Sequence, residues 1–408
     1  GPERGRPEEK NCGIAPAGLR VLTCPPMTHP ERPPAKPRLR DDHHLERHAS
    51  WLELFYDLIF AVTISQLAHH LQADLTLRTF AEFLGLFVPV WWGWVGQTMF
   101  STRFESDDPV QRVFTLVQML CAAIMAVQLG GHGLDAFRGF AFAYAALRAC
   151  LVLQYARVWR HDPGSRAISG YLAGVFSVGT LLAFASAFAP PVVAWPLWLG
   201  AMASDLIGPR FAIARLQQVP VHRGHLPERL ALFTLIFLGE SQAAVVRGLG
   251  AADLWLPSVV IGVLGFGVAA SLWWVYFDHF SRADIGARVR SGQSVLFAHL
   301  PLLLGLAFMV GGVERALQEA SDYSLSPQTA LLLFGGTALW LVSFVTAKAV
   351  TVPETVGKAR AWPEAGVAFV AVLLFLAHGE LRPVLAVLAL ALSLVVLVVL
   401  HERRKHAG

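Results

Sequence analysis

The sequence predicts an all-α integral membrane protein, with about twelve transmembrane helices forming two six-helix parallel repeats. Three observations carry this reading. The chain of 408 residues is 55% hydrophobic and only 15% charged, against about 25% charged in an ordinary soluble domain. Apolar runs of about 20 residues recur along it, each long enough to cross a hydrocarbon core of about 30 Å. Arginines and lysines collect in alternate connections between those runs, which is the bias that orients membrane helices.

Residues 1–46 are rich in Pro, Arg, Glu and His. They lack apolar periodicity and offer too little apolar surface to offset the entropy of ordering, so a disordered tail is expected. Spans then follow at about 51–71, 80–100, 110–129, 137–157, 169–189 and 191–207. Pro190-Pro191 forces the tight connection between the fifth and sixth, because proline ends one helix and restrains the residue before it. These six form a first repeat, 47–210. A cytoplasmic connection follows at 211–228. The second repeat, 229–400, holds spans at about 229–248, 256–279, 294–316, 327–348, 362–379 and 383–400, and residues 401–408 form a short C-terminal tail.

With the N-terminus inside, one set of connections carries Arg103, Arg157, Arg160, Arg166, Arg210, Arg215, Arg223, Arg282, Arg288, Arg290, Lys358 and Arg360. The other set carries Arg78, Arg138, Arg247, Arg315 and Arg382. Both termini are therefore expected in the cytoplasm, and the net charge of +4 reads as topology rather than as a nucleic-acid footprint.

The repeat rests on matched positions. Leu52-Glu53-Leu54-Phe55 corresponds to Leu230-Ala231-Leu232-Phe233, and Trp91-Trp92 to Trp273-Trp274 at nearly the same offset. Each half has an even number of spans, so both enter the membrane in the same direction. The expected pseudo-twofold runs along the membrane normal, with a pathway where the halves meet.

Charges inside apolar spans mark the candidate sites, since each costs about 2.5–3.5 kcal/mol to insert unless it faces protein or water. Glu53 and Asp57 lie four residues apart on one helical face. They form a candidate proton-binding pair, or Glu53 pairs with Arg47 or another loop arginine. Glu240, followed by Ser241, lies near the middle of the seventh span. It is read as a proton or cation site, or as an acid tied to Arg148 in the fourth. Gly239 is expected to admit a close backbone neighbour. His299 precedes Pro301 by two residues, and a proline kink there would open a polar pocket for a titrating imidazole. Glu228, Arg229 and Asp278 are expected as interfacial ion-pair partners.

No HExxH, GxSxG, Walker A or dinucleotide glycine pattern occurs. No catalytic residue, cofactor or metal site is expected. The expected partners are the lipid bilayer and a small ion or small-molecule substrate, not nucleic acid, with a homo-oligomer left open.

Arg47, Trp51, Glu53-Leu54-Phe55-Tyr56-Asp57 and Phe60 resemble the opening signature of the bacterial low temperature requirement protein A (LtrA) family. Leu238-Gly239-Glu240-Ser241 after Glu228-Arg229 resembles its second signature. His299-Leu300-Pro301 and Gly312-x-Glu314 resemble later ones. The resemblance covers about residues 44–400 and implies a multi-pass protein of the bacterial inner membrane associated with growth in the cold. Phe55-Tyr56-Asp57 is also similar to the Phe-Ser-Asp motif opening each repeat of the lysosomal potassium channel family, with Tyr56 in place of the serine and Leu235 where the second half would carry the acid. The expected function is a secondary transporter or an ion or proton pathway. The alternative is a membrane-embedded sensor, scaffold or regulator of cold adaptation.

Overall fold

The structure, a computed structural model, describes residues 38–39, 50–69, 76–105, 108–131, 133–216, 221, 224–251, 256–280, 292–351 and 361–407. All of them fall within the compact unit Pro34–Gly408. The expected tail 1–46 and Arg47 lie outside the described residues, apart from Arg38–Leu39, which pairs antiparallel with Phe104–Glu105.

The long helices run in order: α1 Trp51–His69, α2 Leu77–Arg103, α3 Pro109–Leu129, α4 Gly133–His161, α5 Arg166–Phe188, α6 Pro191–Ile207, α7 His225–Ala251, α8 Leu256–Phe280, α9 Gln293–Gln318, α10 Pro327–Thr351, α11 Trp362–Leu376 and α12 Pro383–Ala407. Eight of them, α3–α5, α7–α10 and α12, are long and apolar enough to cross a membrane.

Local chemistry explains where several begin. Thr76 forms a reciprocal capping box with Thr79 at α2. Asp108 accepts from Gln111 N at 2.7 Å and is followed by Pro109, which fixes the start of α3. Ser326 caps α10 ahead of Pro327 in the same way. The bounds track the apolar runs to about a turn, and two differences matter. α7 begins at His225 instead of 229, so His225 and Glu228 join the helix and leave the expected connection. α12 continues to Ala407, because the Glu-Arg-Arg-Lys run that ends the apolar stretch is itself made of good helix formers.

In each half the first helix packs on the second and third, α1 on α2 and α3, α7 on α8 and α9; α1 also packs on α7. The core at this junction is aromatic. Trp91 stacks on Trp94 at 4.8 Å between centroids, and Trp94 lies 4.5 Å from Phe233 of α7. The second tryptophan doublet is placed differently. Trp91 and Trp92 are 0% and 6% exposed, whereas Trp273 and Trp274 are 44% and 47% exposed.

α9 and α10 approach through glycine. A Cβ on Gly305 would lie 2.7 Å from both Gly336 O and Trp340 N. Gly336 follows a π turn, Leu331–Gly335, and there a Cβ on Gly312 would lie 2.8 Å from Leu333 N. Large apolar side chains such as Val127, Leu199 and Phe369 face outward, the arrangement expected where hydrocarbon is the solvent.

Candidate functional site

The first turns of α1 and α7 bring two acids and two bases together. Asp57 is fully buried and receives two hydrogen bonds from the Arg229 guanidinium, Nε to Oδ2 at 3.0 Å and Nη2 to Oδ1 at 2.5 Å. The Trp94 indole donates to the same Oδ1 at 2.7 Å. Arg229 is itself buried, and its Nη1 reaches Glu53 Oε1 at 3.2 Å. His225 Nε2 stands 3.3 Å from the Glu53 carboxylate. Glu53 also accepts from the Ser50 amide at 2.9 Å and the Ser50 hydroxyl at 3.0 Å.

The geometry follows from helix periodicity. Glu53 and Asp57 are one turn apart on α1, and His225 and Arg229 one turn apart on α7, so two facing pairs form a ladder. The planar guanidinium fork matches a carboxylate bidentately, which a lysine would not do. Among the described residues Glu53 and Asp57 are therefore not a bare acid pair: Arg229, expected at the interface, contacts both in the interior, while Arg47 lies outside the described residues.

A second buried pair joins α4 and α6. Arg148 Nη2 donates to Asp205 Oδ1 at 2.8 Å, and the Tyr144 hydroxyl donates to Asp205 Oδ2 at 2.7 Å; all three residues are fully buried. Trp92 Nε1 donates to the Asp205 carbonyl at 2.9 Å. This corrects the expectation that Arg148 holds Glu240. Glu240 is half-buried and makes no hydrogen bond or ion pair among the described residues. Its neighbour Gly239 admits no close backbone either, since an added Cβ there would meet nothing within 4 Å. Ser241 is buried and bonds back to Leu238 O at 2.5 Å within its own helix.

A third polar group joins α10, α11 and α12, where Lys348 Nζ donates to Glu364 Oε1 at 2.7 Å and His401 Nε2 lies 3.2 Å from the same oxygen.

His299 is fully buried in a closed aromatic setting. Its Nδ1 donates to Val295 O at 2.8 Å, and the Tyr276 hydroxyl lies 3.1 Å from Nε2. α9 continues through Pro301 without interruption, so the polar pocket expected beside the proline does not form around this ring. Asp278 and Glu228 are half-buried near the ends of α8 and α7.

Sequence reasoning missed His225, Asp205, Tyr144, Trp94, Lys348 and Glu364. A signal was present for three of them. Asp205, Lys348 and Glu364 are charges within apolar runs, the criterion that selected Glu240. His225 was hidden because apolarity begins a turn after the helix does. Trp94 and Tyr144 carried no signal, because only tertiary packing turns an aromatic polar tip toward a buried carboxylate.

The family profile for the bacterial low temperature requirement A protein (LtrA) matches residues 48–401. The chain belongs to the LtrA family. A protein of Rhizobium meliloti (strain 1021), described as uncharacterized, is 25% identical to this LtrA chain over 333 residues, covering 77% of this chain and 80% of its own length. Both ion clusters around Arg229 and Arg148 lie inside the matched LtrA region.

Proposed function

We propose that this LtrA protein is a twelve-span transporter or ion or proton pathway of the bacterial inner membrane, with its polar centre where α1 meets α7. The observation that carries the reading is the buried cluster of Glu53, Asp57, His225 and Arg229. Its acids come from the first helix of one half and its bases from the first helix of the other. Ionisable groups buried at membrane depth are expensive and mark ion paths in transporters. In parallel-repeat transporters the path runs between the halves. The shared packing of α1 on α2 and α3 and of α7 on α8 and α9 supports such a repeat. The arginine asymmetry supports cytoplasmic termini. Glu240 lies eleven residues beyond Arg229 along α7, about 16 Å at 1.5 Å per residue, and extends the polar line away from the cluster.

The second reading, a sensor or scaffold in cold adaptation, is favoured by how completely Asp57 is satisfied: its oxygens take two bonds from Arg229 and one from Trp94, as a fixed joint would require. Purified protein in proteoliposomes separates the two. Proton or monovalent-cation flux that exceeds empty vesicles and is abolished by Asp57→Asn supports the pathway. Absence of any flux across imposed pH and cation gradients supports the joint.

A further inference from the structure

We propose that His225 and Glu53 together form a proton-binding site at the α1–α7 joint, one that sets the charge of the whole cluster. The inference deepens the reading of that joint as the polar centre and rests on it.

Hydrogen bookkeeping carries the argument. Thr102 Oγ1 lies 2.6 Å from Thr98 O, one helical turn back. A carbonyl only accepts, so the single hydroxyl hydrogen is spent there. His225 Nδ1 lies 3.2 Å from the same Oγ1 and must therefore donate to it. A neutral imidazole protonated on Nδ1 has a bare lone pair on Nε2. That Nε2 faces the Glu53 carboxylate at 3.3 Å, where lone pair against carboxylate repels. One further hydrogen has to lie between them. Glu53 Oε2 already accepts from the Ser50 amide and hydroxyl, and Oε1 faces Arg229, which leaves Nε2 as its place.

Charge balance reaches the same result independently. Glu53 and Asp57 from α1 contribute two negative charges, and Arg229 of α7 contributes one positive. Among the described residues α2 touches the cluster through neutral groups, the hydroxyls of Thr98, Ser101 and Thr102 and the Trp94 indole, while the buried Arg103 on the same helix donates back to Met99 O at 3.3 Å. α8, which also packs on α7, carries Asp278 and His279 in its last turn beside Lys348 and Glu364, and α9 begins at Gln293. With one proton on the His225–Glu53 pair, the four cluster residues sum to zero. Without it they carry an uncompensated negative charge in a buried site, which is strongly disfavoured. The proton on the His225–Glu53 pair thus decides whether the joint between α1 and α7 is neutral or negative.

The test is solid-state NMR of the full chain with 15N-labelled histidine in lipid bilayers. At about pH 8 a solvent-exposed histidine is neutral. Beside any signal from His401 against Glu364, which Glu364→Gln identifies by removing it, the expected spectrum retains one histidine, among the 15 in the chain, with both ring nitrogens protonated and its Nε2–H in contact with a 13C-labelled glutamate carboxylate. In Glu53→Gln the side-chain amide donates to Nε2, and this signal should give way to a neutral Nδ1–H ring. Wild-type spectra with every histidine neutral at that pH would overturn the proposal. So would a spectrum in which Glu53→Gln removes no doubly protonated histidine signal. If that variant does not fold, the wild-type spectrum alone decides. Flux is not the readout: a protein that transports nothing yet shows the signal keeps the proton site and loses the transport reading, and a protein that conducts without it does the reverse.

Discussion

Arg229→Met removes the one guanidinium shared by Asp57 and Glu53 while keeping an unbranched apolar side chain of similar reach. The structure sets the size of the effect. Arg229 gives Asp57 two hydrogen bonds, at 3.0 and 2.5 Å, in a site with no solvent exposure. Each charge-assisted hydrogen bond contributes about 1.5–3 kcal/mol, and removing one partner of a buried pair typically costs about 3–5 kcal/mol, because the other charge stays buried. Asp57 would retain only the Trp94 indole. We expect Arg229→Met to lose about 3–5 kcal/mol of stability, measured by denaturant titration in lipid–detergent micelles with tryptophan fluorescence. Adding Asp57→Leu should recover about half or more of the loss, since a buried pair replaced by apolar groups is often close to neutral. The reasoning fails if Arg229→Met costs less than about 1 kcal/mol, or if the double variant falls as far as the sum of the two single changes.

Three further outcomes are expected. Gly305→Ala should destabilise by about 1–3 kcal/mol, because its Cβ meets the α10 backbone; Gly239→Ala, which faces open space, should be neutral or stabilise by up to about 1 kcal/mol, and thermal denaturation of the two side by side checks both. Asp108 lies outside the spans, and although burial opposes it, the hydrogen bonds from Arg157 and from the Gln111 amide hold its carboxyl below the usual range. A depressed carboxyl stabilises the fold above its unfolded value of about 3.9 and loses that contribution as pH falls through its folded value. Asp108→Asn should therefore cost about 1 kcal/mol at neutral pH, and its difference from wild type should begin to shrink as pH falls below about 4 and be gone only once pH is below the depressed folded value. Glu240→Gln should leave stability within about 0.5 kcal/mol, since no partner is lost among the described residues; reduced flux in proteoliposomes with an unchanged denaturation midpoint would tie Glu240 to the path, and a large stability loss would show an ion pair.

The sequence by itself determined the lipid-facing helical class, the helix bounds to about a turn, the family and the placing of Glu53 and Asp57 on one helical face. These are properties of local composition: apolar length, prolines and caps at helix ends, and charge inside hydrocarbon can all be read one segment at a time. Only the tertiary structure decided which charges neutralise which. Arg229 looked interfacial because apolarity rises just after it, yet the extra turn from His225 draws it inward to Asp57. Arg148 looked available to Glu240, yet Asp205 and Tyr144 reach it first. The matched tryptophan doublets looked equivalent, yet one is core and the other faces outward. Pairing inside a membrane depends on how helices distant in sequence rotate and cross, and hydropathy along one helix carries no information about its neighbour's face.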